Sequence, residues 1–216
     1  MRVVLIGMPL EGPSRLGTTE REAIEAAEVV AAGERHLEDL SGFLGGTATR
    51  IVLKAPLATA LDGIETAARS GASVVVIGSG DPGMFGIGRA LAERLGPSSV
   101  AVSPSASSVS VAFGRLGLPL DDALVVSAHG RPTRDAVGAA LTADKVAILT
   151  SPESPPEQLG ALLLDAAHPA EHVAVASHLG AADETVVTGD LAWLAAGRFP
   201  PRSVVILWRG DGVAAR

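Results

Sequence analysis

The chain has 216 residues, of which 47% are hydrophobic and 3% aromatic, with a formal net charge of −7 and no cysteine. That is enough for one large α/β domain or two small ones. It excludes a nucleic-acid surface, which needs clustered Lys and Arg or stacking rings, and any disulfide, thiolate metal site or cysteine nucleophile.

The first residues, Met1-Arg2-Val3-Val4-Leu5-Ile6-Gly7, read as a strand, with no cleavable apolar segment behind them. No run approaches the roughly 20 apolar residues of a membrane span. A cytoplasmic protein with a small-molecule ligand is therefore expected, with no membrane and no nucleic-acid partner.

Strand-like runs follow at Val3–Ile6, Glu28–Ala31, Thr49–Leu53, Ser73–Ile77, Val100–Ser103, Leu124–Ser127, Val146–Thr150, Val173–Ser177, Thr185–Thr188 and Ser203–Trp208. Helical patterns fall between most of them, at about 18–27, 34–43, 57–70, 86–95, 106–116, 133–142, 155–167 and 190–196. Thr18 or Thr19 ahead of Glu22 predicts a capping box, and Pro155-Pro156 predicts a helix start. Regular alternation of this kind predicts α/β architecture. The turn-rich segment Gly117 to Asp122 divides the chain into two lobes near residue 118, residues 1–118 and 119–216.

One segment carries the most chemistry. Val74–Ile77 reads as a strand buried on both faces, and it stops in Gly78-Ser79-Gly80-Asp81-Pro82-Gly83 before the helix that contains Ile87, Leu91 and Leu95. A close-approach loop at the carboxyl end of a parallel strand is where open α/β sheets bind ligands. The glycines match G-x-G-x-x-G, yet a pyrophosphate would need backbone N–H groups where this chain has a carboxylate and a proline. The following strand also lacks the acid that holds a ribose, and no Gly-Lys-Ser/Thr follows to make a P-loop. An acid in a glycine turn suits a ligand bearing positive charge with ammonium and hydroxyl donors, as S-adenosylmethionine does. Asp81 could equally serve as the cap of the following helix.

Ser103-Pro104-Ser105-Ala106-Ser107-Ser108 again follows a strand and opens a helix with hydroxyls, whose plain structural role is N-capping. Two small polar turns on adjacent strands nonetheless make one crevice.

With these segments in view, the chain resembles the tetrapyrrole (corrin/porphyrin) methyltransferases, and among them the precorrin-6Y C5,15-methyltransferase family. The resemblance rests on Gly80-Asp81-Pro82 with Phe85-Gly86-Ile87-Gly88, on Pro104 to Ser108, and on Ala112 to Pro119. It also rests on Ser127-Ala128-His129-Gly130-Arg131, on Arg35-His36-Leu37-Glu38 and on Glu184 to Leu191. It implies a two-lobed α/β fold, with a mostly parallel N-terminal sheet, a mixed C-terminal sheet and S-adenosylmethionine held between the lobes. By position, Ser79, Gly80, Asp81, Met84, Ser107 and Ser108 would contact this cofactor, with Thr150 and Leu179 completing the pocket. Relatives of this type are usually homodimers.

Two segments depart from the family pattern. Gly7-Met8-Pro9-Leu10-Glu11-Gly12 replaces Gly-x-Gly-Pro-Gly, and its bulkier residues either narrow the crevice or change how substrate enters, so Pro9 is not counted as a contact. Ser177-His178-Leu179-Gly180 stands where an acid is usual.

The implied reaction is methylation at C5 of a corrin-ring precursor in cobalamin biosynthesis. His129 is the candidate base, because imidazole titrates near working pH; a structural place in its loop is the alternative. Arg35 and Arg131 are candidates for pairing with the substrate's carboxylates. His168 and His172 stand at i, i+4, but Pro169 between them breaks the helix that would align two metal ligands, so no metal is expected. The family also occurs fused to a domain handling C15 with decarboxylation; a chain ending at Arg216 is expected to do the C5 step and to leave C15 to a separate partner. A nicotinamide-dependent oxidoreductase and a non-catalytic S-adenosylmethionine-binding protein are the competing functions.

Overall fold

The computed structural model describes residues 3–212, and the structural statements below concern those residues. By internal packing the chain divides into two compact units, Met1–Ser107 and Ser108–Arg216.

The first unit is a three-layer α/β/α sandwich. Its strands are β1 (Val3–Met8), β2 (Val29–Ala32), β3 (Thr49–Val52), β4 (Val74–Ser79) and β5 (Val100–Ser103), all parallel and ordered β3-β2-β4-β1-β5. Its helices are α1 (Thr18–Glu25), α2 (Glu34–Asp39), α3 (Ala58–Arg69) and α4 (Gly88–Leu95). Side chains alternate across a strand, and here both faces are apolar. Ile6, Met8, Val75 and Ile77 pack with Ile24, Leu37 and Leu40 of the α1–α2 side. Val3, Leu5, Val74 and Val76 pack with Ile64, Ala68 and Leu91 of α3 and α4. The chain leaves β1 toward β2 and leaves β4 toward β5, so adjacent strands send their connections opposite ways. That reversal marks the carboxyl ends of β1 and β4 as the place where open α/β sheets bind ligands.

The second unit holds α5 (Ser108–Leu116), β6 (Leu124–Ser127), α6 (Thr133–Ala140), β7 (Lys145–Leu149), α7 (Pro156–Asp165), β8 (His172–Ser177), β9 (Thr185–Gly189), α8 (Leu191–Ala196) and β10 (Ser203–Trp208). Its sheet is mixed, ordered β6-β7-β10-β8-β9: β6 and β7 run parallel, while β10 is antiparallel to both β7 and β8. The carboxyl ends of β6, β7 and β8 therefore share one edge. Val146, Ile148, Val173, Val175, Val205 and Leu207 face α6, α7 and α8, and α5 lies against β9 and β10. Lys145 is buried at the start of β7, where its ammonium donates to Asp122 at 2.5 Å and to the Pro119 carbonyl at 3.1 Å. Among the described residues no helix is long and apolar enough to cross a membrane.

The α/β class, the parallel first sheet and the mixed second sheet agree with the sequence, and α7 begins at Pro156 as expected. The two polar turns do not follow adjacent strands as expected, because β1 lies between β4 and β5. Some local details differ as well. Thr18 and Thr19 lie inside α1, whose N-cap is Gly17 with no side-chain cap bond, so the capping box does not form. Two 3-10 turns, Pro13–Arg15 and Pro97–Ser99, were not anticipated.

Candidate functional site

Three loops meet at the carboxyl edge of the first unit's sheet. The Gly80 N–H donates to the Met8 carbonyl at 2.8 Å, the Ser105 N–H to the Gly80 carbonyl at 3.1 Å, and the Ser105 hydroxyl to the Gly7 carbonyl at 2.8 Å. The ends of β1, β4 and β5 are thereby clamped to one another. Gly7 is required for that approach, since a β-carbon there would overlap the Gly80 carbonyl oxygen and lie 2.6 Å from the Ser105 nitrogen.

Pro82 is the pivot of the glycine loop. It is buried, and β-carbons at Gly78, Gly86 or Gly88 would each come within 2.7 Å of its ring or its carbonyl oxygen. The Gly88 N–H donates to that same carbonyl at 3.0 Å. These glycines leave room for a proline rather than for a pyrophosphate. Helix α4 begins only at Gly88 with Ile87 as its N-cap, so its N-terminal N–H groups lie past the glycine motif.

Asp81 does not cap α4. Its carboxylate accepts the Gly83 N–H at 2.9 Å, an Asx turn inside the loop, and its carbonyl accepts the Met84 N–H at 3.1 Å. Asp81 and Met84 are half-buried, Gly80 is buried in the left-handed conformation (φ 57°), and Ser79 is exposed at the end of β4. Ser107 is buried.

In the Met8–Gly12 loop, Met8 is turned inward. Met8 is 1% exposed, with its side chain in the α1–α2 core. Pro9 and Gly12 form a tight turn closed by the Gly12 N–H on the Pro9 carbonyl (3.0 Å). The bulk at position 8 goes into the fold.

Two side chains on this edge escaped sequence reasoning. His36 of α2 is 8% exposed and its Nε2 lies 2.8 Å from the Ser79 hydroxyl. Burial, then the Arg35 guanidinium, pushes this imidazole below its ordinary value, against an opposing pull from Asp39. Glu20 of α1 accepts the Ser103 hydroxyl at 2.6 Å, and that bond first, then a backbone N–H, holds its carboxyl below the usual range. Both partners lie far away along the chain. A local pattern cannot announce such a pair, although His36 sits inside the Arg35–Glu38 motif. Arg35 itself is exposed.

In the second unit the predicted residues fall at the carboxyl ends of β6, β7 and β8. His129 is exposed after β6, and its N–H meets the Ser127 hydroxyl at 3.2 Å. In the loop after β7, a backbone hydrogen bond first, then one from Ser151, holds the Glu153 carboxyl below its usual range, with smaller contributions from His129 and Arg202. Arg131 is exposed in the loop after β6, and Ser108 is the first residue of α5. Thr150 is buried, and its hydroxyl is engaged by the Pro201 and Ser203 carbonyls (2.7 and 2.9 Å) and by the Ser203 N–H (2.9 Å). It ties β7 to β10. Leu179 is buried just after β8, where the Gly180 N–H donates to Glu184 at 2.7 Å and Glu184 pairs with Arg115 at 2.5 Å. Two motif pieces, Arg115 and Glu184, thus meet. The His178 imidazole, where an acid was usual, pairs with Asp183 at 2.6 Å.

Both ring nitrogens of His168 are spent on the backbone. Nδ1 accepts the Ala170 N–H at 3.1 Å, which leaves Nε2–H to donate to the Ala140 carbonyl at 3.1 Å. His172 stacks on Trp208 instead, with centroids 5.2 Å apart.

Comparison with known proteins matches residues 2–195 to the model of the tetrapyrrole (corrin/porphyrin) methylases. A precorrin-6Y C(5,15)-methyltransferase [decarboxylating] of Sinorhizobium sp is 36% identical over 203 residues, which is 94% of this chain and 48% of that protein. A cobalt-precorrin-7 C(5)-methyltransferase of Salmonella typhimurium is 33% identical over 129 residues, 60% of this chain and 62% of its own length. The chain thus spans about half of the first relative and under two thirds of the second. Among solved structures, a precorrin-6Y methylase from Archaeoglobus fulgidus superposes with a TM-score of 0.69 at 22% identity, covering 97% of this chain and 98% of that one. A uroporphyrin-III C-methyl transferase from Thermus thermophilus, complexed with S-adenosylhomocysteine, gives 0.74 at 21% identity over 96% and 97% of the two chains. These likenesses are of fold. With the family model matching residues 2–195, nearly its whole length, the chain belongs to the tetrapyrrole (corrin/porphyrin) methylases.

Proposed function

We propose that this chain is an S-adenosylmethionine-dependent methyltransferase acting on C5 of a corrin-ring precursor of the precorrin-6Y or precorrin-7 type, in cobalamin biosynthesis. The observation that carries the proposal is the loop Ser79-Gly80-Asp81-Pro82, clamped to the ends of β1 and β5 and filled by proline where a dinucleotide would need open N–H groups. Assignment to C5 is supported by the names of two relatives that match at 36% and 33% identity. A cytoplasmic homodimer is part of the same proposal.

Ser79, Gly80, Asp81, Met84 and Ser107 are the cofactor residues proposed on the first unit; Ser108, Thr150 and Leu179 are those proposed on the second, each unit taken by itself. The fit is one of donor to acceptor: Ser79 and Asp81 offer oxygen lone pairs to a ligand rich in ammonium and hydroxyl donors. Thr150 would take part through its backbone carbonyl, because its hydroxyl and its N–H are both engaged with the chain entering β10. When bound, S-adenosylmethionine supplies an electrophilic methyl group on a sulfonium whose leaving thioether is neutral, so no general acid is needed.

The protein's task is then positioning and exclusion of water. Rigid attachment of the Gly78–Gly88 loop to β1 and β5 fits that task. Arg35 and Arg131 would pair with the carboxylates of the substrate. His129 would take the proton released from the methylated ring carbon.

Isothermal titration with S-adenosylhomocysteine and separately with NADPH tests this. Micromolar binding of the first, lost by tenfold or more in Asp81→Ala, is expected. Tight binding of NADPH alone would sink the proposal in favour of a nicotinamide enzyme.

A further inference from the structure

We infer that His36 is a positioning residue that turns the Ser79 hydroxyl proton inward, so that Ser79 meets the ligand only as a hydrogen-bond acceptor. The inference rests on the cofactor reading above and deepens it.

The Nδ1 of His36 is buried and has no hydrogen-bond partner among the described residues; the nearest charged oxygen is Asp39 Oδ2, at 3.8 Å. A neutral imidazole carries one proton, on Nδ1 or on Nε2. With the proton on Nδ1, the N–H dipole faces the Asp39 carboxylate favourably. With the proton on Nε2, a buried lone pair faces that negative charge instead. The first arrangement is preferred on Coulomb grounds, and the low dielectric of a buried site enlarges the difference.

Nε2 is then a bare acceptor. At 2.8 Å from it, the Ser79 oxygen has to be the donor. A hydroxyl has one proton and two lone pairs. Once that proton points at His36, what Ser79 shows at the exposed end of β4 is lone pairs alone. Asp81, two residues on, also presents acceptors only. The edge of the first unit is thus built for ligand ammonium or ribose hydroxyl groups and against phosphate oxygens. That gives a selection rule which the glycine pattern by itself does not contain.

Two measurements test the assignment. In long-range ¹H–¹⁵N spectra of the wild-type chain at neutral pH, His36 is expected as the Nδ1–H tautomer with an unprotonated Nε2. A protonated Nε2 would overturn the inference without touching the methyltransferase reading. In calorimetry with S-adenosylhomocysteine, Ser79→Ala and His36→Phe are each expected to weaken binding by about tenfold, the scale of one hydrogen bond. The double variant should be no weaker than either single one, because both remove the same bond. His36→Gln, whose amide oxygen can still accept from Ser79, should recover part of the loss. Circular dichroism melts identify which variants are folded. Multiplicative losses, or folded variants that bind like wild type, would refute the role of His36. A wild-type chain that does not bind S-adenosylhomocysteine would overturn both this inference and the function it rests on.

Discussion

Pro82 explains more of the sequence than any other residue. Gly78, with Gly80 and Gly83, reads along the chain as a nucleotide-binding fingerprint, yet in space Gly78, Gly86 and Gly88 are the walls of a pocket filled by one proline. The sequence did show that the fingerprint was spoiled, because a proline lacks the N–H a phosphate needs. It did not show where the missing side chains would have gone, since that depends on the turn through Gly80 and Phe85, both at positive φ. Gly88→Ala tests the account at this scale. Alanine is favoured over glycine in a helix by about 1 kcal/mol, but here the new methyl would stand 2.7 Å from the Pro82 carbonyl oxygen and 3.2 Å from Leu5. Overpacking of that kind costs about 1–3 kcal/mol. A net loss of stability in urea unfolding, together with weaker S-adenosylhomocysteine binding, is expected; a more stable variant with intact binding would show that the loop yields freely.

At the scale of elements, much of the architecture was legible because both faces of β1, β2 and β4 are apolar and the helices between them carry one apolar stripe each. What stayed hidden was decided by partners distant in sequence. Glu20 turns to Ser103 of β5, and no side chain caps α1. Thr150 spends its hydroxyl on the chain entering β10, and His36 reaches Ser79 from another helix. None of these pairs has a local signature. Helix crossings are equally silent in sequence, and Gly160 and Gly138 show it. A β-carbon at Gly160 of α7 would lie 2.7 Å from the Ala195 nitrogen and 2.8 Å from Leu194 of α8, whereas one at Gly138 of α6 would meet nothing within 4 Å. Alanine at 160 should therefore lower the thermal midpoint, by the few degrees that about 1–3 kcal/mol implies. Alanine at 138 should raise it, by helix propensity alone. Equal shifts in differential scanning calorimetry would mean that α7 and α8 do not pack as closely as described.

For the whole molecule, each unit brings its polar residues to the carboxyl edge of its own sheet: Ser79, Asp81 and His36 in the first, His129, Glu153 and Arg131 in the second. Family membership follows from residues 2–195; the reaction at C5 is the further step. Tetrapyrrole methylases differ in which ring carbon they methylate, and fold likeness at 21–22% identity does not choose among them. The most direct test supplies S-adenosylmethionine carrying a ¹³C methyl group, together with a corrin precursor unmethylated at C5, and locates the label by NMR. The account predicts one labelled methyl group, bonded to C5, formed by the wild-type chain and lost in Asp81→Ala. A label on another ring carbon, or no transfer by a chain that binds S-adenosylhomocysteine, would contradict it.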